Sequence, residues 1–168
     1  GLVGSEMCIR DRSFDYYAIR ERRRELVRER LAQYGLEKKP GVEETLRFLR
    51  AKGIKTAVAT ATALDITKSH LTTIGVCDLF DSIVSAKNVA HGKPEPDVYL
   101  YACEQIGERP QDCMAVEDSP NGIMAAYRAG LRTVMVPDLT QPDEELTKYL
   151  YACVNSLSDL CELVDKED

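Results

Sequence analysis

Hydrophobic and polar positions along the chain follow two alternating rhythms. Short apolar runs at 54–60, 82–85, 113–116 and 132–136 are bounded by glycine, proline or acidic residues and predict strands. Between them, apolar residues recur near a period of 3.6 and predict helices over 42–51, 65–74, 96–106 and 120–129. A longer helix is predicted over 13–34, with Ile19, Leu26, Val27, Leu31 and Tyr34 on one stripe. The tail adds helices near 142–150 and 157–164 around a short strand at 152–154. The punctuation agrees: Gly35, Gly53, Gly75 and Gly107 follow helices, Pro96 and Pro120 open them, and Asp65 and Ser119 are candidate caps. Strands that alternate with helices of this length need crossover connections, and crossovers produce a parallel sheet covered on both faces. The predicted fold class is therefore α/β, a doubly wound parallel sheet. A chain of 168 residues fits one compact domain, and no repeat or flexible linker divides it.

Composition removes several function classes. The net charge of −6, with basic residues scattered except near the start, gives no surface for nucleic acid or an anionic membrane. Six cysteines at irregular spacings, without a CxxC pair, read as buried hydrophobes in a reducing compartment, not a zinc site or a disulfide framework. No apolar run reaches membrane-spanning length. A soluble, cytoplasmic, monomeric protein is expected. There is no GxGxxG after a strand and no GxSxG, and His70 and His91 stand apart from other candidate groups.

In such sheets ligands bind beyond the carboxyl ends of the strands. Three polar features fall there. Thr60, Ala61 and Thr62 place hydroxyls and backbone N–H groups at a helix opening, a ready anion site, although ordinary capping explains them as well. Lys93 lies between Gly92 and Pro94 in a stiff loop, where it is either an aimed charge or a solvated lysine. Glu117 and Asp118 follow a strand directly; acids favour helix starts, but two adjacent carboxylates at a strand end also suit Mg²⁺, which takes one or two carboxylates plus waters and phosphate oxygens. A hydroxyl cradle, a lysine and an acidic cation site on successive strands are the parts that stabilise a transferring phosphoryl group.

The stretches TAVATAT, HGKPEPDVYL and VEDSPNGIMAAYRAG, from about Gly41 to Val164, resemble the second, third and fourth motifs of the haloacid dehalogenase superfamily, in particular its β-phosphoglucomutase-like phosphatases. The resemblance implies Mg²⁺-dependent hydrolysis of a small phosphorylated metabolite, often a sugar phosphate, through an aspartyl-phosphate. It implies that Thr60, with Ala61 and Thr62, holds the phosphoryl group, that Lys93 neutralises it, and that Glu117 and Asp118 hold the metal. It also makes 13–36 the end of a helical cap and 37–168 the α/β core. Mutases of the group carry a polar pair just after the second-motif hydroxyls, where this chain has Ala63 and Leu64, which tilts the expectation toward a phosphatase over a sugar-phosphate mutase. A non-catalytic phosphate-binding module is the third alternative.

One departure is large. The family's first motif, a central strand ending in Asp-x-Asp that supplies the nucleophile, has no counterpart here. Asp11 and Asp15 follow no apolar strand, Asp78 and Asp81 follow a helix, and Asp138 lies alone beyond a strand end. The opening GLVGSEMCIRDR has neither period and is similar to translated sequencing adapter, so residues 1–12 are expected to be a non-native tail. The family's first strand is then expected upstream, the fragment inactive, and the sheet left with a gap or two unpaired edges.

Overall fold

A computed structural model of the chain describes residues 16–166. The expected tail at 1–12 and the first residues of the predicted 13–34 helix lie outside that range. The structure divides into two units, Gly1–Glu37 and Lys38–Asp168.

The first unit contributes α1, Tyr16–Tyr34. Of its predicted apolar stripe, Ile19, Leu26, Val27 and Tyr34 are exposed and Leu31 is half-buried. The period was read from few apolar positions among many arginines and glutamates, and those charges make local pairs instead. Arg22 reaches Glu25 at 3.1 Å and Glu29 at 3.4 Å, and the Arg30 guanidinium lies 5.6 Å from the Tyr34 ring centre.

The second unit runs α2 (Val42–Ala51), β1 (Ala57–Thr60), α3 (Leu64–Thr73), β2 (Ser82–Ser85), α4 (Asp97–Ile106), β3 (Met114–Glu117), α5 (Pro120–Arg128), β4 (Arg132–Met135), α6 (Glu144–Thr147), β5 (Ala152–Cys153) and α7 (Asp159–Asp165). The α/β alternation and the parallel pairing match the prediction. The predicted 54–60 strand begins only at Ala57: Thr56 still faces Asp81, whose N–H its carbonyl takes at 2.8 Å, but its own N–H donates to the Asp81 carboxylate at 2.7 Å. The third strand extends to Glu117, one residue past the predicted end. Asp65 is not the cap of α3; Ala63, in extended conformation, occupies that position without a side-chain bond. The predicted 142–150 helix contracts to the four residues of α6, where Asp143 accepts the Leu146 N–H at 2.7 Å.

The strands form two parallel sheets, β2 with β1 and β3–β4–β5. Ala57 stands opposite Ser82 in the first, and Met114 opposite Arg132 in the second. Val84, Val98, Ala102, Ala115 and Ala126 form a core that α4 and α5 share with both sheets. Ile123, Met135 and Leu146 form a second. Across the unit, α2 is tied to the approach of α7 by the Thr45 hydroxyl, which donates to the Leu157 carbonyl at 2.9 Å. Asp138 does not stand alone, since Lys39 meets it at 2.7 Å. Between β1 and β3 no strand is described, and a cavity of about 740 Å³ opens there.

Candidate active site

The site is built where β1 and β3 end. Thr60 closes β1, and its hydroxyl oxygen accepts the Thr62 N–H at 3.1 Å. The Thr62 carbonyl in turn accepts the hydroxyl of fully buried Ser85, the last residue of β2, at 2.6 Å. This ties the loop after β1 to the neighbouring strand end. One of the N–H groups expected to be open, that of Thr62, is thus engaged within the loop. Ala61 and Thr62 are exposed, and α3 starts with no side-chain cap on its first N–H groups.

Lys93 is not a solvated loop lysine. Its side chain is only 17% exposed. Its ammonium donates to the Ala59 carbonyl at 3.1 Å, to the Tyr99 hydroxyl at 3.2 Å and to Glu117 Oε1 at 2.5 Å, and it sits 4.8 Å from the Tyr99 ring centre. The three donors of the group are all used. The loop that presents it is pinned from α5, where Arg128 donates to the Pro94 carbonyl and to Glu95, each at 3.0 Å. His91 is held as well, its ring Nδ1 3.0 Å from Asp97 Oδ2.

Glu117 ends β3 with its side chain 8% exposed. Its Oε1 takes Lys93 and a short bond from the Tyr99 hydroxyl. Its Oε2 takes the Ser119 hydroxyl at 3.2 Å and the Asp118 N–H at 3.3 Å. Ser119 is also the cap of α5, accepting the Gly122 N–H at 3.1 Å. Gly122 makes the arrangement possible, because a β-carbon there would lie 2.0 Å from the Glu117 carboxylate. The glutamate therefore rests directly against the first turn of α5. Burial, followed by the Glu117 charge, holds the Tyr99 hydroxyl well above the usual tyrosine range, so it remains a donor.

Lys93 thus links the two strand ends. It bonds the carbonyl preceding Thr60 and the carboxylate preceding Asp118. Asp118, the next residue, is exposed. Of the two acids expected to hold a cation, Glu117 already has both oxygens in protein hydrogen bonds, while Asp118 is the accessible one. Among the described residues no group of three histidine, cysteine, aspartate or glutamate side chains is placed to surround a metal.

Sequence reasoning missed Tyr99 and Gly122. Tyr99 carried a signal: it sits on the apolar face of α4 beside Val98 and Ala102, where its hydroxyl had to find a partner. Gly122 had a weaker one, a glycine in the first turn of a helix where its flexibility has no local use. No helix of the described residues is long and apolar enough to cross a membrane.

Residues 7–136 match the family model of the haloacid dehalogenase-like hydrolases. The chain is 33% identical over 128 residues to hexitol phosphatase B of Escherichia coli K12, an alignment covering 76% of this chain and 56% of that protein. Among solved structures it is similar to β-phosphoglucomutase from Clostridium difficile, with a TM-score of 0.67 and 27% identity over 77% of this chain and 55% of that one. It is also similar to CbbY from Rhodobacter sphaeroides in complex with phosphate, with a TM-score of 0.66 and 32% identity over 73% and 55% of the two chains. The chain spans about half the length of the curated relatives it matches. Over that span, with its parallel α/β order and its three motifs meeting at one rim, the chain belongs to the haloacid dehalogenase-like hydrolase family.

Proposed function

We propose that the protein of which this chain is part is a cytoplasmic, monomeric Mg²⁺-dependent phosphate-monoester hydrolase acting on a small phosphorylated metabolite, a sugar phosphate being the class best matched. The observation that carries the reading is the Lys93 ammonium, held between the Ala59 carbonyl beside Thr60 and the Glu117 carboxylate beside Asp118.

The electrostatics of the rim explain the need for a cation. Lys93 and Glu117 neutralise each other as a pair, and Asp118 leaves one negative charge, so a phosphate dianion would be repelled as the rim stands. Asp118 fits Mg²⁺ as one carboxylate ligand, with waters and phosphate oxygens completing the shell, and Glu117 stands behind it. When bound, the ion would neutralise phosphate oxygens as charge develops on them.

The side chains then divide the work. The Thr60 oxygen already accepts one bond, which leaves its hydroxyl proton to donate to a phosphoryl oxygen. The uncapped start of α3 adds N–H dipoles around the same oxygens. Lys93 supplies positive charge from a fixed point, and of its three partners Tyr99 is the most distant and the most readily exchanged for a phosphoryl oxygen. An aspartyl-phosphate route needs an attacking aspartate beside Lys93; β1–β5 supply none in the described residues, and the one carboxylate there, Glu117, has both oxygens engaged. We assign that group to a segment outside them.

Hydrolysis of an aryl phosphate by the full-length protein, compared with its Asp118→Ala variant, tests the reading. Loss of turnover that Mg²⁺ cannot restore supports it, and unchanged turnover refutes the metal assignment. A mutase reading draws on the β-phosphoglucomutase similarity. Isomerisation of a hexose phosphate that depends on a bisphosphate would favour it over hydrolysis.

A further inference from the structure

The Lys93 ammonium is held at its tip by Ala59, Tyr99 and Glu117, but a lysine stem is long and flexible. Where its charge can go once a partner is exchanged depends on what holds the backbone. The loop 91–96 is closed on itself: the Glu95 N–H donates to the Gly92 carbonyl at 3.0 Å, and the His91 N–H and ring Nδ1 lie 3.1 and 3.0 Å from Asp97 Oδ2. Asp97 is the first residue of α4, the helix that this loop opens, so these bonds shape the loop without tying it to the rim. Among the described residues, the hydrogen bond that another element gives to the loop backbone comes from Arg128, whose Nη1 donates to the Pro94 carbonyl at 3.0 Å.

Stability does not account for this contact. The same Arg128 nitrogen meets Glu95 at 3.0 Å, but the two side chains are 42% and 52% exposed, where an ion pair contributes little. The Pro94 carbonyl, in contrast, belongs to the residue next to Lys93 and moves with it. Arg128 stands in the last turn of α5, where the helix end favours a cation. The other end of the same helix serves Glu117, which Ser119 bonds at 3.2 Å and which rests against Gly122. Nine residues of helix span about 13 Å, so both members of the Lys93–Glu117 pair are set by opposite ends of one short rigid element. We infer that Arg128 is a positioning residue for phosphate. Through the Pro94 carbonyl it holds the backbone of Lys93 at the rim, so that the ammonium turns from Tyr99 to a phosphoryl oxygen without leaving Ala59 and Glu117. Its role there rests on the phosphate-binding function proposed for the rim. Without the bond the loop shifts as a unit, Lys93 keeps Glu117 by bending its stem, and the ammonium no longer meets the oxygen that Thr60 engages. Misplacement by about 1 Å at a charged contact of this kind costs up to about a hundredfold.

The test uses the full chain, saturating Mg²⁺ and inorganic phosphate, followed by amide NMR. Before phosphate is added, Arg128→Ala is expected to lower the order parameters of Gly92, Lys93 and Glu95 from about 0.85 toward about 0.6, while those of 114–117 stay unchanged. With phosphate, followed at Ala61 and Thr62, the affinity of the variant is expected to fall by about tenfold. Arg128→Lys keeps a donor for the Pro94 carbonyl and is expected to return to within about threefold of the parent. Glu95→Gln removes the ion pair, spares the carbonyl bond, and is expected to change affinity by less than about twofold. Affinity is read from the resonances of folded molecules, so a loss of stability does not imitate the effect. Rigid loop amides in Arg128→Ala, unchanged phosphate affinity, an equal loss in Glu95→Gln, or no recovery in Arg128→Lys overturns the role of Arg128 and leaves the phosphate site standing. Absence of any phosphate response in the parent chain overturns both.

Discussion

Replacing Gly122 by alanine isolates the contact on which the buried Glu117 depends. The glycine is not in the left-handed region, so alanine adopts its backbone conformation without strain and gains about 0.5–1 kcal/mol from a less flexible unfolded chain. Against this, the new β-carbon would lie 2.0 Å from the Glu117 carboxylate, which has to move. Movement breaks bonds to Lys93, Tyr99 and Ser119. Breaking a buried ion pair costs about 3–5 kcal/mol. Lys93 keeps Ala59 and Tyr99 and has some solvent contact, which reduces this to about 2–3 kcal/mol. The net expectation is a loss of about 2 kcal/mol, read as a lower midpoint in urea unfolding followed by circular dichroism. The decisive comparison is a double-mutant cycle. In a Glu117→Ala background the obstructing carboxylate is gone, and Gly122→Ala becomes neutral or stabilising by about 0.5 kcal/mol. Gly92→Ala, where nothing lies within 4 Å, serves as the control and should stay within about 0.5 kcal/mol. A neutral Gly122→Ala in the parent, or an equal loss with and without the Glu117 carboxylate, refutes the reasoning.

Two further outcomes follow from burial. Tyr99→Phe removes one donor from Glu117 and is expected to cost about 1–2 kcal/mol. Because the folded state raises the Tyr99 value, its contribution to stability is complete below the ordinary tyrosine value of about 10 and declines as pH rises above it. A tyrosinate absorbance titration should accordingly show one late tyrosine that Tyr99→Phe abolishes, and a profile in which every tyrosine ionises normally in the folded protein contradicts this. Burial pushes the Cys103 thiol up to about 12, leaving little thiolate at pH 8. Peptide mapping after alkylation should find Cys103 unmodified while exposed Cys153 reacts, and comparable modification of the two in folded protein would refute the assignment.

The α/β order was legible because each apolar run ends at a residue with its own mechanism. Gly107 adopts φ 70° after α4, and Ser119 with Pro120 opens α5. That Thr60, Glu117 and Asp118 stand at strand ends was legible because the apolar runs stop there; Lys93, in a loop, joins them through its bonds to Ala59 and Glu117. What the sequence withheld was the division between the two acids. Adjacent carboxylates read alike in one dimension; only the structure turns Glu117 inward against Gly122 and Tyr99 and leaves Asp118 exposed. At α1 the helix was legible, Tyr16–Tyr34 against the predicted 13–34, and its pairing was not. A few apolar residues fitted a helical period there, and periodicity alone does not say what such a stripe packs against.

The most direct test of the central claim, that one rim serves both cation and phosphoryl group, is an amide NMR titration of the chain with Mg²⁺ and then inorganic phosphate. The account predicts that Mg²⁺ shifts the Asp118 resonance first, and that phosphate then shifts Ala61, Thr62 and the loop bearing Lys93, with the phosphate response lost in Asp118→Asn. Phosphate shifts that are absent, that fall elsewhere on the chain, or that are indifferent to Mg²⁺ would contradict it.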